Sequence, residues 1–330
     1  MGPVSPVDAR WMDAALTLAS RGRGRTSPNP SVGCVIVRDG LIVGRGWTQP
    51  GGRPHAEAMA LAQAGAAASG AIAYVTLEPC AHVSARGPAC ADLLVESKVA
   101  RVVVARGDPD PRTNGKGLAQ LAAAGIETAC GVRASEARAS MAGFLSRIER
   151  GRPHVTLKLA TSLDGCIAMA NGESRWITGP EARAHAHLER SRHEAILVGR
   201  GTWDVDQPTL DVRLLGLESR SPRRVVLSKT RGPEDAAWID SPAKIGALPG
   251  DHLFIEGGAG AAAAFLADDL VDRLILYRAP ILIGGGRAAL GDIGLGALGE
   301  AHDRWTCIDT RQLGRDRLEV YERVRCLPGS

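Results

Sequence analysis

Aromatic side chains are scarce in this chain, at 4% of its 330 residues, so its hydrophobic core must consist mainly of Ala, Val, Leu and Ile. No stretch of about 18 or more uncharged apolar residues occurs, which excludes a membrane-spanning helix. The first residues lack a basic start followed by an apolar run, so we expect no signal peptide. Long basic runs are also missing, and few aromatics accompany the arginines, which disfavours nucleic-acid binding.

The cysteines lack the spacing of a disulfide framework. An odd, scattered set suits a reducing compartment in which thiols are free or bind metal, so we expect a cytoplasmic protein. Only Cys80 and Cys90 lie close together. The seven residues are Cys34, Cys80, Cys90, Cys130, Cys166, Cys307 and Cys326.

The formal net charge of +4 is carried almost wholly by arginine, because only five of the 40 basic residues are lysines. A mild arginine excess fits a small phosphorylated substrate, since a few guanidinium groups suffice to bind phosphate. Hydrophobic residues at 45% and charged residues at 23% are typical of a folded globular protein. At about 150 residues per domain, the length predicts two domains.

The first half alternates helical and strand-like patterns, which indicates an α/β layer structure with helices on the faces of a sheet. Asp39 and Gly40 mark a hairpin turn. The predicted helices are 7–21, 55–67, 90–98, 117–124 and 135–148, and the predicted strands are 31–37, 41–46, 71–77, 101–105 and 126–129.

A charged Gly/Pro break at 149–153 separates the halves, so we predict one domain at 1–150 and a second at 151–330. The segment 231–250 has the weakest pattern and is expected to form loops. In the second half the predicted strands are 154–160, 194–199, 223–227, 251–256, 273–283 and 317–324, and the predicted helices are 180–192 and 260–268.

One histidine and two cysteines in the first half have the order of a zinc deaminase site. His55 opens a helix, Cys80 follows a strand and Cys90 starts the next helix. Three protein ligands leave the fourth position of zinc to water, whose pKa the metal lowers to about 7. Glu57, two residues after the histidine, would move protons to the leaving amine.

Two other interpretations of these residues remain open. His55 could be a surface residue and the cysteines buried apolar fillers. Alternatively the zinc could be structural, with His82 as the nearby candidate for a fourth ligand.

Three motifs resemble the bifunctional deaminase–reductases of riboflavin biosynthesis: residues 26–37 (TSPNPSVGCVIV), 54–57 (PHAE) and 76–82 (TLEPCAH). The resemblance implies that His55, Cys80 and Cys90 bind zinc, that Glu57 transfers protons and that Asn29 contacts the pyrimidine. Among Ser84, Ala85 and Arg86, charge favours Arg86 as the contact of the substrate phosphate. Thr48 departs from the family's usual histidine, and nine residues separate the two cysteines where eight are usual.

Four segments of the second half are similar to the family's reductase domain, which resembles dihydrofolate reductase: 157–165, 172–179, 195–210 and 254–260. The last follows a strand and opens an Ala-rich helix, whose free N–H groups would face a pyrophosphate. It lies too late in its domain for a Rossmann fingerprint, so we expect dinucleotide binding without that fold. A tight turn without a ligand is the alternative.

The resemblance implies a set of contacts for each ligand of the reductase. NADPH would contact Ala160, Trp176, Thr202, Asp206, Gly258, Ala259, Gly260, Ala261, Ala262, Ala263 and Ala264. The substrate would contact Ser174, Arg190, Leu210, Arg213 and Glu256. Trp176 could instead pack in the core, and either arginine could be a solvated surface residue. Cys166, Gln207 and Ser228 depart from the family pattern.

We therefore expect two domains with two chemistries. The first would be a cytidine-deaminase-like three-layer α/β/α domain that binds Zn²⁺, and the second a dihydrofolate-reductase-like α/β domain that binds NADPH. The substrate would be a phosphorylated pyrimidine, with no nucleic-acid or membrane partner, and the protein would be a homo-oligomer. The rival hypotheses are a single-activity enzyme with one degenerate domain, a nucleic-acid deaminase, and a nonenzymatic zinc-stabilised interaction protein.

Overall fold

A computed structural model describes residues 5–82, 86–230 and 232–325. The chain divides into two compact units, residues 1–151 and 152–330. Within the described residues, no helix is long and apolar enough to cross a membrane.

The first unit is built on a five-stranded sheet in the order β2-β1-β3-β4-β5. β1 pairs antiparallel with β2 and β3, and β3, β4 and β5 are parallel. Its strands are β1 Gly33–Arg38, β2 Leu41–Trp47, β3 Ile72–Val75, β4 Arg101–Val104 and β5 Glu127–Cys130. Its helices are α1 Pro6–Ala19, α2 Ala56–Ala64, α3 Cys90–Glu96, α4 Lys116–Ala123, α5 Ala134–Ser140 and α6 Ala142–Arg150.

Small residues let the helices of the first unit lie directly on its sheet. A Cβ at Gly33 would lie 1.9 Å from the carbonyl oxygen of Ala15 on α1, and one at Gly46 would lie 2.0 Å from that of Ala56 on α2. Glycine is therefore required at both strand positions, because the backbones approach within contact distance. This close approach explains how a unit with few aromatic residues forms a dense core.

The single helix predicted at 135–148 is wrong. The chain forms two helices, α5 and α6, which are interrupted at Met141, where the backbone leaves the helical region at φ −113° and ψ 25°. Met141 is fully buried with Leu145. The hydrophobic period continued across the break, so the sequence pattern could not reveal it.

The second unit contains an eight-stranded sheet in the order β10-β9-β8-β11-β6-β12-β15-β14 and a two-stranded sheet of β7 and β13. The first six strands of the large sheet are parallel, whereas β15 and β14 are antiparallel to their neighbours. The strands are β6 His154–Thr161, β7 Cys166–Ala168, β8 Ala195–Gly199, β9 Arg223–Leu227, β10 Ala237–Ile239, β11 His252–Glu256, β12 Arg273–Arg278, β13 Arg287–Ala288, β14 Trp305–Leu313 and β15 Asp316–Arg323. The helices are α7 Pro180–Arg190, α8 Arg200–Asp206 and α9 Ala259–Ala267.

Two sequence expectations for the second unit need correction, and one long strand was missed. The segment 231–250 contains β10 and a short 3-10 helix rather than loops alone. The strand predicted at 273–283 ends at Arg278, and β14 was not predicted. β14 is a mostly exposed strand with polar residues on both faces, so it lacks the alternation that marks a half-buried strand.

Candidate active sites in the two units

His55, Cys80 and Cys90 meet in the first unit, where their ligand atoms all lie within 4.8 Å of one another. His55 caps the N-terminus of α2, and Cys90 is the first residue of α3. Cys80 lies in the segment after β3. His55 Nδ1 is 3.2 Å from Cys90 Sγ and 3.6 Å from Cys80 Sγ.

This cluster fits a zinc ion. With bonds of about 2.0–2.3 Å, the ligand atoms of a tetrahedral zinc lie about 3.5 Å apart, close to the two distances above. The pKa of Cys80 is lowered, because its sulfur accepts hydrogen bonds from Cys90 and His55. A thiolate is the form that binds metal. The interpretation of both cysteines as apolar fillers does not explain this convergence with an imidazole.

The alternative of a structural four-ligand site lacks its fourth residue. Within the described part of the chain, His82 is not a member of the cluster. Its Nδ1 instead lies 3.5 Å from the hydroxyl of Thr113. Three protein ligands leave a position open for a reactant, as in catalytic zinc sites.

Glu57 lies in the first turn of α2 with 3% of its surface exposed. Burial raises the pKa of its carboxyl. The residue lines a cavity of about 290 Å³ together with His55 and Cys80. The structure thus brings the expected proton-transfer residue to the expected metal ligands.

Asn29 and Thr48 line the same cavity. Asn29 Nδ2 donates to the carbonyl of Gly52 at 3.1 Å and lies 2.9 Å from His55 Nε2, so it fixes the imidazole with Nδ1 toward the thiols. Thr48, the departure from the family's histidine, accepts a hydrogen bond from the backbone N–H of Val32 at 3.0 Å. The Thr48 hydroxyl therefore holds residues 29–33, which lead into β1, against the end of β2.

Arg86 also lines this cavity, and its Nη2 donates to the carbonyl of Gly51 at 2.6 Å. The two competing candidates for the phosphate contact, Ser84 and Ala85, lie outside the described residues.

The sequence motif that contains Glu78 does not reveal the role of this residue. Its carboxylate, 3% exposed, accepts four backbone N–H bonds from the segment that precedes and opens α4. The donors are Asp108 at 3.2 Å, Gly115 at 3.0 Å, Gly117 at 3.0 Å and Leu118 at 3.2 Å. Glu78 thereby joins the segment that carries Cys80 to the segment 108–118, which contributes Asp108, Asp110 and Arg112 to the cavity lining. An acidic residue three positions after the end of a buried strand was the available signal.

The second unit contains a cavity of about 1010 Å³ at the carboxyl ends of its parallel strands, where α/β sheets bind ligands. Most residues expected to contact the cofactor or substrate line it: Ala160, Ser174, Trp176, Arg190, Thr202, Asp206, Leu210, Glu256, Gly258, Gly260, Ala261 and Ala264. Among the described residues, four of those expected do not: Ala259, Ala262, Ala263 and Arg213. Ala262 packs in the core, and the Arg213 side chain is 61% exposed beside Asp211.

Glu256 at the end of β11 is the centre of a buried charge cluster. Arg190 contacts its carboxylate with a two-pronged hydrogen bond of 2.6 and 3.0 Å, and Lys158 Nζ lies 3.5 Å away. Burial opposes ionisation of Glu256, but Lys158 and Arg190 outweigh it and lower its pKa to about 2. The guanidinium fork of Arg190 is thus engaged by Glu256. Lys158 was missed, although a lysine inside an apolar strand is a signal of function.

The glycine-rich turn between β11 and α9 has room for a ligand. A Cβ at Gly260 would meet no atom within 4 Å, so packing does not explain a glycine in the first turn of this helix. Gly258 N–H donates to the hydroxyl of Thr202 at 3.1 Å. The backbone of this turn faces the cavity, and a dinucleotide pyrophosphate could approach it closely.

Trp176 is 63% exposed, so the alternative that it packs in the core is wrong. The Arg183 guanidinium lies 4.7 Å from the centre of its indole. Asp206 ends α8, and Gln207 adopts a left-handed conformation at φ 42° as its cap. Ser228 is buried and lines the cavity, whereas Cys166 is buried near the carbonyl of Gly284 at 3.7 Å.

Family models match both units. Residues 5–106 match the cytidine and deoxycytidylate deaminase zinc-binding region, and residues 153–318 match the RibD C-terminal domain. Riboflavin biosynthesis protein RibD of Aquifex aeolicus is 38% identical over 336 residues, which cover 90% of this chain and 94% of the relative. The Escherichia coli protein of that name is 40% identical over 326 residues, covering 84% and 89%.

Solved structures agree over nearly the whole chain. Acinetobacter baumannii RibD has a TM-score of 0.86 at 37% identity and covers 96% of this chain and 99% of its own. A Thermotoga maritima diaminohydroxyphosphoribosylaminopyrimidine deaminase/5-amino-6-(5-phosphoribosylamino)uracil reductase has a TM-score of 0.86 at 29% identity with the same coverage. The expected fold class, a cytidine-deaminase-like domain followed by a reductase α/β domain, is confirmed.

Proposed function

This chain belongs to the family of bifunctional deaminase–reductases of riboflavin biosynthesis, and on this premise we propose that its first unit houses the deaminase site and its second unit the reductase site. The chain is an enzyme with both activities. It hydrolyses the amino group of 2,5-diamino-6-(5-phosphoribosylamino)pyrimidin-4(3H)-one with Zn²⁺ and then reduces the ribosyl group to ribityl with NADPH.

In the deaminase site, His55, Cys80 and Cys90 would hold the zinc ion. When bound, zinc supplies water activated for attack at neutral pH. Glu57 would take a proton from that water and deliver a proton to the departing amine. Asn29 would orient the pyrimidine, and Arg86 would bind the substrate phosphate through its guanidinium.

In the reductase site, the turn at Gly258–Gly260 and the hydroxyl of Thr202 would hold the cofactor, with Trp176 and Asp206 along the same wall. NADPH supplies the hydride when bound. Glu256 remains ionised at neutral pH, so it can accept hydrogen bonds from sugar hydroxyls. Lys158 and Arg190 hold that carboxylate in place and balance its charge.

The rival hypotheses have little support. Both units match their family models, so no observation favours a single-activity enzyme with one degenerate domain. The substrate class is a small phosphorylated pyrimidine, as in RibD enzymes. The homo-oligomer and the cytoplasmic location expected from the sequence stay predictions.

The observation that carries the deaminase assignment is the convergence of one imidazole and two thiols beside a buried glutamate. Zinc content and ammonia release of the wild type should be compared with those of Cys90→Ser. We expect about one zinc per chain in the wild type, and loss of both zinc and ammonia release in the variant. Full zinc and full ammonia release in Cys90→Ser would show that other ligands bind the metal.

A further inference from the structure

We propose that Arg53 and Arg86 act as a pair that binds the substrate phosphate in the deaminase cavity, with Arg53 as a specificity residue in addition to Arg86. The proposal rests on the deaminase function proposed above. Both side chains line the cavity that contains His55, Glu57 and Cys80. They come from the two segments that lead into metal ligands: Arg53 precedes His55, and Arg86 lies between Cys80 and Cys90.

The side chain of each arginine contacts the segment that carries the other arginine. Arg86 Nη2 donates to the carbonyl of Gly51 at 2.6 Å, two residues before Arg53. Arg53 Nη1 donates to the carbonyl of Pro88 at 3.4 Å, two residues after Arg86. Each guanidinium therefore lies beside the chain segment that carries the other, and the two positive charges are held at one side of the cavity.

The glycine at position 87 independently supports the placement of the Arg53 guanidinium beside the segment that carries Arg86. A Cβ at this position would lie 2.9 Å from Arg53 Nη1, and its φ of +141° favours glycine. The residue next to Arg86 thus leaves space for the guanidinium of Arg53. A larger residue would push that guanidinium away from the pair.

Four carboxylates also line the cavity, Glu57, Glu78, Asp108 and Asp110, so an anion is favoured by the local charge of the arginine pair and not by the cavity as a whole. Arg112, a third arginine in the lining, is neutralised by Asp110, which accepts hydrogen bonds from its Nε and Nη2. In the described part of the chain Arg53 forms no ion pair with a carboxylate, and its bond to Pro88 uses one of its five N–H donors. A guanidinium fork matches the geometry of a phosphate better than that of a neutral sugar.

A purely structural role for the two arginines makes a different prediction. If they only fasten the two segments, their loss should impair every deaminase substrate equally. If they bind phosphate, the loss should appear only when the substrate carries one. The diaminopyrimidine riboside with and without its 5′-phosphate therefore separates the two roles.

The experiment measures KM and kcat for ammonia release from both substrates with zinc-loaded wild type, Arg53→Gln, Arg53→Lys and Arg86→Gln. Arg45→Gln is the matched control, because Arg45 is an exposed residue of β2 outside the cavity lining. For the phosphorylated substrate we expect KM to rise about 10- to 100-fold in Arg53→Gln, with kcat changed less than threefold. Arg53→Lys should retain part of the affinity, since it keeps the charge but loses the fork.

For the riboside without phosphate, all variants should have the KM of the wild type, and inorganic phosphate should inhibit the wild type competitively but Arg53→Gln much less. NADPH oxidation with the deaminated substrate, measured on the same preparations, should be unchanged and reports intact folding of the second unit, while wild-type kcat with the riboside reports an intact deaminase site. An equal rise of KM for both substrates, or no rise for either, would overturn the proposal. Absence of ammonia release from the zinc-loaded wild type would overturn the proposed function, and this proposal with it.

Discussion

Replacement of Glu78 by glutamine tests whether this buried carboxylate stabilises the segment 108–118, which contributes to the lining of the deaminase cavity. Its two oxygens accept four backbone N–H bonds of 3.0–3.2 Å, two on each oxygen. Glutamine keeps one oxygen but turns an NH2 group toward two N–H donors. Two buried N–H groups then lose their acceptor, at about 1–3 kcal/mol each, so we expect a loss of about 2–6 kcal/mol.

Amide hydrogen exchange measures this loss locally. Peptides that cover 108–118 should lose protection by at least about 30-fold in Glu78→Gln, which corresponds to about 2 kcal/mol. Peptides of the second unit should be unaffected. Glu127→Gln is the matched control, because Glu127 is 54% exposed and makes one ion pair with Arg101 at 3.0 Å, and such surface pairs contribute about 0–1 kcal/mol.

The reasoning about Glu78 would be refuted by one clear result. If protection of 108–118 in Glu78→Gln stays within threefold of the wild type, the four hydrogen bonds do not stabilise this segment. A loss equal to that of the Glu127→Gln control would have the same meaning.

Three further predictions concern packing, pH and cofactor binding. Gly33→Ala should destabilise the first unit by several kcal/mol in urea unfolding, because its Cβ would lie 1.9 Å from a carbonyl oxygen of α1; a wild-type midpoint would contradict the close approach. Arg152 and other groups overcome burial and lower the pKa of Asp272 to about 2, against about 3.9 in an unfolded chain. The Asp272 carboxylate should therefore contribute about 2–3 kcal/mol to the unfolding free energy of the second unit above about pH 4, and this contribution should disappear as the pH approaches 2; Asp272→Asn should lack this part of the acid-dependent loss and keep the part that is due to Glu256. Thr202→Val removes the acceptor of Gly258 N–H and should raise KM for NADPH about 3- to 10-fold with ammonia release unchanged; an unchanged KM would place the cofactor elsewhere.

Most helices and strands could be predicted because their sequence signals, such as turn residues and helix caps, lie within the element or next to it. The hairpin of β1 and β2 turns at Asp39 and Gly40 as expected. The helix predicted at 7–21 is α1, where Ser5 and Asp8 form a capping box. β14 and the break at Met141 escaped prediction, since an exposed strand has no apolar alternation and a short helix break does not disturb the hydrophobic period.

The zinc cluster could be predicted because His55 and Cys90 lie at the starts of helices and Cys80 follows a strand, in a known order along the chain. The roles of Glu78 and Lys158 could not, because they depend on partners that are distant in sequence: the backbone of 108–118 for one and Glu256 for the other. The same limit applies to Arg190. Sequence reasoning identified its guanidinium but not the carboxylate that it binds.

The most direct test of two independent chemistries in one chain is Glu57→Gln, assayed for both activities on one zinc-loaded preparation. Glu57 lies 3% exposed in the cavity of the first unit, and the residues that line the cavity of the second unit belong to 158–287. We predict that ammonia release falls by at least about 100-fold, as expected for loss of a general acid–base group, while NADPH oxidation with the deaminated substrate stays within twofold of the wild type. Ammonia release at the wild-type rate, or parallel loss of both activities in a folded protein, would contradict the account.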